Sequence, residues 1–123
     1  MSDVTARHFE EIPYYQGTNA IPGIKLHTAG RELGVSAWGM NVLEIDADCT
    51  DYPEHDHVKD GQEEVYVVLR GSGTMKNDAA ETPLTAGMLV RVGPGQKRKI
   101  LPGEGGIVVL ALGATPGKAY APR

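Results

Sequence analysis

Glu54-His55-Asp56-His57, near the middle of the chain, is its densest group of metal-ligating and acid–base side chains. Two of the four histidines of the sequence stand here, at i and i+2. On an extended strand that spacing turns both imidazoles to one face, about 7 Å apart along the chain. A metal ion needs converging lone pairs, and two imidazoles on one face supply two. Glu63 and Glu64 open the next apolar run. If the two segments pair or pack together, one carboxylate completes a two-histidine, one-carboxylate set. With open positions such a set suits Fe(II), Mn(II), Ni(II) or Zn(II). The alternative for the H-x-H pair is two surface histidines among acids.

The elements that must position these residues are strands. Punctuation by Gly and Pro predicts short strands over 24–28, 35–45, 50–57, 64–70, 74–76, 82–85, 88–92, 97–101 and 107–112. Val65-Tyr66-Val67-Val68-Leu69 is the strongest of these signals, rich in β-branched and aromatic residues. In 35–45, Trp38, Met40 and Val42 share one face and Val35, Ala37, Leu43 and Ile45 the other, which suits a strand buried on both sides. Turns are expected at Gly71-Ser72-Gly73, Asn77-Asp78, Gly93-Pro94-Gly95 and across 102–106. No segment sustains a helical period. The pattern is that of an all-β sandwich or barrel.

With 123 residues the chain fits one domain. It divides into an N-terminal arm at 1–23 carrying Phe9, Ile12, Tyr14 and Tyr15, a barrel at 24–112, and a Gly/Pro/Ala tail at 113–123. The net charge of −4 is uneven: residues 1–64 hold 13 acidic and 4 basic residues, net −9, and residues 65–123 hold 3 acidic and 8 basic, net +5. The acidic total, and basic residues without interleaved aromatics, argue against a nucleic-acid partner. The longest aliphatic run, Ile107 to Leu112, is far too short to span a membrane as a helix. Met1-Ser2-Asp3-Val4 has neither the basic start nor the apolar stretch of a signal peptide. Cys49 is the sole cysteine, so no intrachain disulfide can form, and a reducing cytoplasm is the expected compartment. Cys49 reads as a small buried hydrophobe rather than a nucleophile.

The order His55-Asp56-His57, then Glu64, then Gly71 resembles the first motif of the cupin family: H-x-H, a gap, E, six residues, G. Gly87 followed by Gly93-Pro94-Gly95 resembles its second: G, five residues, P-x-G, two residues, H. The resemblance implies a single-domain jelly-roll β-barrel, often a homodimer, with a metal or small-molecule site in the barrel mouth. It selects His55, His57 and Glu64 as metal ligands, Glu64 over Glu63 and Gln62 because it keeps the spacing to Gly71. Tyr66, on the same face as Glu64, lines the site or fills the barrel. Three departures stand out. Six residues separate His57 from Glu64, and the extra ones are expected to loop out. Gly93 replaces the first proline. The last metal-ligating histidine of the pattern is Arg98 here. Arginine stays protonated and is no metal ligand.

Alternation sets Arg98 opposite to Lys97 and Lys99, and the motif points it inward. There it either pairs with Glu64, leaving a metal-free site, or binds the carboxylate or phosphate of a substrate beside a three-ligand ion. Two functions follow: an enzyme using a weakly held divalent metal on a small anionic metabolite, or a non-catalytic small-molecule binding or sensory module.

Overall fold

The computed structural model describes residues 3–121; residues 1, 2, 122 and 123, the outer ends of the expected arm and tail, lie outside the described residues. In chain order the elements are β1 (Ile24–His27), α1 (Ala29–Leu33), β2 (Gly39–Ile45), β3 (Glu63–Asn77), β4 (Glu81–Thr85), β5 (Leu89–Val92) and β6 (Arg98–Ala114). A 3-10 turn at Phe9–Glu11 precedes them. All pairings are antiparallel, in the order β1-β2-β6-β3-β4, with β5 also on β3.

Two long strands carry the architecture. β3 and β6 pair from Glu63↔Ala114 to Asn77↔Arg98, with register shifts between Val68 and Arg70 and between Gly71 and Gly73. The turns expected at 71–73 and 102–106 are therefore bends within continuous strands. Gly71 is the reason the bend is possible: its φ is +81°, and a Cβ there would lie 2.3 Å from the Gly106 carbonyl oxygen. Below the bend β3 pairs with β5, and beyond it with β4. The bent pair thus folds one sheet into two walls around a shared interior.

The two faces of β2 serve different cores, as its two-sided apolar pattern requires. Ile45 and Leu43 face the barrel interior with Tyr66, Val68, Met75, Leu84, Ile100 and Val109. Val42 and Met40 face outward into a second cluster, closed by Ile12 and Phe9 of the N-terminal segment. That segment also bridges the edge strand, Tyr14 pairing with His27.

Three expectations are corrected. Ala29–Leu33 is a helical turn, too short to show a period, ended by Gly34 at φ +79°. Residues 50–57 form no strand; His55 makes an isolated bridge with Arg98. Trp38, expected in the core, is 45% exposed, because β2 begins only at Gly39. Cys49 is buried in the interior cluster, as expected.

Candidate metal centre

The isolated bridge explains how the site is assembled. His55 N donates to Arg98 O at 3.1 Å and Arg98 N donates to His55 O at 3.0 Å. Residues that exchange both bonds across an antiparallel pair present their side chains to the same face. Two residues on, His57 N donates to Pro94 O at 2.9 Å, which fixes the second imidazole on that face. Glu64 and Tyr66 come from β3 with the same i, i+2 alternation. The residues between His57 and Glu64 do loop out, in a turn closed by Gly61, whose N–H donates to His57 O at 2.7 Å.

His55, His57 and Glu64 each offer a ligand atom, and these atoms all lie within 4.8 Å of one another. Nε2 of His57 is 3.2 Å and Nε2 of His55 3.8 Å from Oε1 of Glu64. The other ring nitrogens face acceptors: Nδ1 of His55 meets the Pro53 carbonyl at 2.9 Å, and Nδ1 of His57 meets both Asp60 oxygens, at 3.0 and 3.1 Å. A carbonyl and a carboxylate only accept, so both Nδ1 atoms carry a proton, and each imidazole, when neutral, turns its Nε2 lone pair into the site. Two lone pairs and a carboxylate, with tautomers set by their surroundings, fit a divalent ion held by three protein ligands.

Glu64 is the electrostatic hub. Tyr66 donates its hydroxyl to Oε1 at 2.7 Å, and the Arg98 guanidinium donates to the same oxygen. Burial pushes this carboxyl up, but hydrogen bonds from His55, Tyr66 and Arg98 outweigh it and hold the group down at about 2, from an ordinary 4.5. The Glu64 carboxylate in turn raises His55, against the opposing effect of burial. Burial raises Tyr66, and the charge of Glu64 adds to the effect.

Arg98 has no exposed surface. Its other bonds run to the Tyr66 hydroxyl at 3.3 Å and the Gln96 carbonyl at 2.8 Å. It therefore points inward and pairs with Glu64, and it stands behind the carboxylate rather than on the cavity wall. Of the two expected arrangements the structure shows the pairing with Glu64, and the guanidinium contacts Glu64, Tyr66 and Gln96. Glu63 turns away, its carboxylate accepting from Arg91 Nε at 2.8 Å, whereas Gln62 joins the cavity wall.

The site opens into a cavity of about 380 Å³. Tyr66 and the three ligand candidates form its floor, and its sides carry neutral hydrogen-bonding groups, including Tyr52, Asn41 and Tyr120. Sequence reasoning missed two contributions. The N-terminal segment reaches the cavity with Tyr15 and Asn19. Asp60 orients His57, and its position three residues on, before a glycine, was the signal available.

No family model matches the sequence, and no curated protein matches it. Solved structures do. A sugar phosphate isomerase of the cupin superfamily from Silicibacter pomeroyi is 19% identical, with a TM-score of 0.75 over 91% of this chain and 77% of that one. A predicted oxalate decarboxylase from Thermotoga maritima is 18% identical, with a TM-score of 0.68 over 90% and 99%. KdgF from a Halomonas species is 13% identical, with a TM-score of 0.65 over 80% and 86%. At such identities the likeness establishes the fold: the chain folds as a β-barrel of the cupin type. No helix among the described residues is long and apolar enough to cross a membrane.

Proposed function

We propose that the cavity is the active site of a small enzyme that holds a divalent metal ion on His55, His57 and Glu64 and acts on a small anionic metabolite. The observation that carries this reading is the convergence of two Nε2 lone pairs on one carboxylate, each imidazole held by an acceptor at its far nitrogen. When bound, the ion supplies Lewis acidity and the positive charge that meets an anionic group of the substrate. The chain's own residues bind and orient. No lysine or arginine lines the cavity among the described residues. Tyrosine hydroxyls and the amides of Asn41 and Gln62 serve as neutral partners for substrate oxygens. Tyr66 and Arg98 keep Glu64 ionised, so that it remains a ligand at any working pH. Two structural neighbours, a sugar phosphate isomerase and a predicted oxalate decarboxylase, carry names of small anionic metabolites, which supports the substrate class.

One observation favours a second reading. Arg98 occupies the place of a fourth ligand and already neutralises Glu64. In that reading the barrel is a metal-free binding or sensory module. Elemental analysis of protein purified without affinity tag or chelator separates the two. Stoichiometric Fe, Mn, Ni or Zn supports the enzyme; no metal, even after each is added, overturns it in favour of the module.

The proposal places the protein in the cytoplasm as a homodimer. The lone, buried Cys49 and the strongly exposed Leu89 and Val58 support these two points. A monomer in light scattering at tens of micromolar, an order of magnitude chosen for a stable interface, overturns the dimer.

A further inference from the structure

His27 lies on the opposite face of the barrel wall from the ligand cluster and is 2% exposed. Its Nδ1 is 2.7 Å from the Ile12 carbonyl oxygen, and its Nε2 is 2.6 Å from Oε2 of Glu44. The carbonyl can only accept, so Nδ1 carries a proton. The contact of Nε2 with Glu44 ties the ring to β2, and Arg70 lies 3.5 Å from the other Glu44 oxygen.

The N-terminal segment hangs on this pair. Ile12 is the anchor of the outer cluster. Two residues further, Tyr14 bridges His27, and Tyr15 N donates to Leu26 O at 2.9 Å. Beyond that point the chain supplies Tyr15, Asn19, Ala20 and Ile21 to the cavity wall. We infer that the hydrogen bonds of His27 to Ile12 and Glu44 latch the N-terminal segment to the barrel, so that His27 is a positioning residue for that part of the cavity wall.

The groups that surround the ring are few. From β2 comes Glu44, and from β3 comes Arg70, which also reaches Glu10 at 3.4 Å. From the N-terminal segment come the rings of Phe9 and Tyr14, edge-on at 5.7 and 5.9 Å. His8 stacks on Phe9, and Lys25, on the strand of His27 itself, sits over Tyr14. Glu44 alone of the charged groups makes a hydrogen bond to the imidazole among the described residues.

The latch itself does not depend on what the cavity holds; its effect on a ligand rests on the active-site reading above. Hydrogen exchange of residues 9–21 in the full chain, followed by mass spectrometry at one pH, tests it. His27→Phe keeps a ring at this place and removes both hydrogen bonds. The expected result is a rise of about tenfold in opening of this segment, with exchange of β3 and β6 unchanged. Glu44→Gln keeps a hydrogen-bonding partner for Nε2 while Nδ1 still bonds Ile12, and there the segment is expected to stay docked. Wild-type exchange of the segment in His27→Phe, or an opening in Glu44→Gln as large as in His27→Phe, overturns the latch. Metal content measured on the same samples reports separately on the active-site reading, because His27 touches none of the three ligand candidates.

Discussion

Arg98 and His57 approach the same atom, Oε1 of Glu64, one with a permanent charge and the other with an imidazole nitrogen. The carboxylate is thus shared between a buried cation and the position an ion would take. Any ion bound here competes with a guanidinium for the electrons of its acidic ligand, and it meets the repulsion of that cation as well.

Replacing the cation should release the carboxylate. In Arg98→His the charge is gone and an imidazole stands at the fourth ligand position. Metal affinity, titrated for both proteins above the ordinary imidazole pKa of about 6.5, is expected to rise at least about tenfold. Equal affinities would show that Arg98 does not govern the site.

Arg98→Met tests the other side of the pair. It leaves Glu64, 14% exposed, without its buried cation. Breaking a buried ion pair in this way costs about 3–5 kcal/mol. Urea unfolding of the metal-free variant should show that loss, and the double variant with Glu64→Gln should recover part of it.

Asp60 sets the tautomer of His57 from the far side of the ring, without itself offering a ligand atom. Asp60→Asn keeps an acceptor and removes the charge. Metal binding is expected to weaken by about tenfold or more, with the thermal midpoint of the metal-free protein little changed. An unchanged affinity would place Asp60 in the turn only.

The pH dependence of stability in the metal-free protein follows from two shifts of opposite sign. Glu64 is lowered from 4.5 to about 2, so its contribution is full above 4.5 and is lost as pH falls toward 2. That difference is of order 3 kcal/mol. His55 is raised above 6.5, so its contribution is present below 6.5 and disappears as pH rises through its folded value. Stability measured against pH should therefore fall on both flanks. Glu64→Gln should flatten both, because the same carboxylate raises His55.

Much of the barrel was legible because an unbroken apolar run bounded by turn residues announces a strand. Val65 to Leu69 and Ile107 to Leu112 are such runs, and they fall in the two strands that organise the sheet. The bends were misread because Gly71, Ser72 and Gly73 have the composition of a turn, and only distant partners, Ile107 for Gly71, Thr85 for Ser72 and Pro102 for Gly73, keep them in the ladder. Residues 50–57 alternate like a strand but are held by the single His55–Arg98 bridge and the bond from His57 to Pro94. The ligand triad was readable from spacing. The inward turn of Arg98 was readable from alternation, but its withdrawal behind Glu64 was not, since that depends on the Tyr66 hydroxyl and the Gln96 carbonyl waiting there. The role of the N-terminal segment was hidden because it is made by contacts between residues far apart, Ile12 with His27 and Tyr15 with Leu26.

The β3–β6 ladder also has a consequence for how the barrel comes into being. Residue 63 meets residue 114, and residue 71 meets residue 107. During synthesis β3 leaves the ribosome well before its principal partner, and the chain must close loops of tens of residues before that pairing repays the lost entropy. Until then β4 and β5 are its only neighbours in the sheet, and one edge of its apolar run lies open. Pairing across such a separation slows assembly. The nascent barrel is most prone to aggregate in the interval before residues 98–114 arrive.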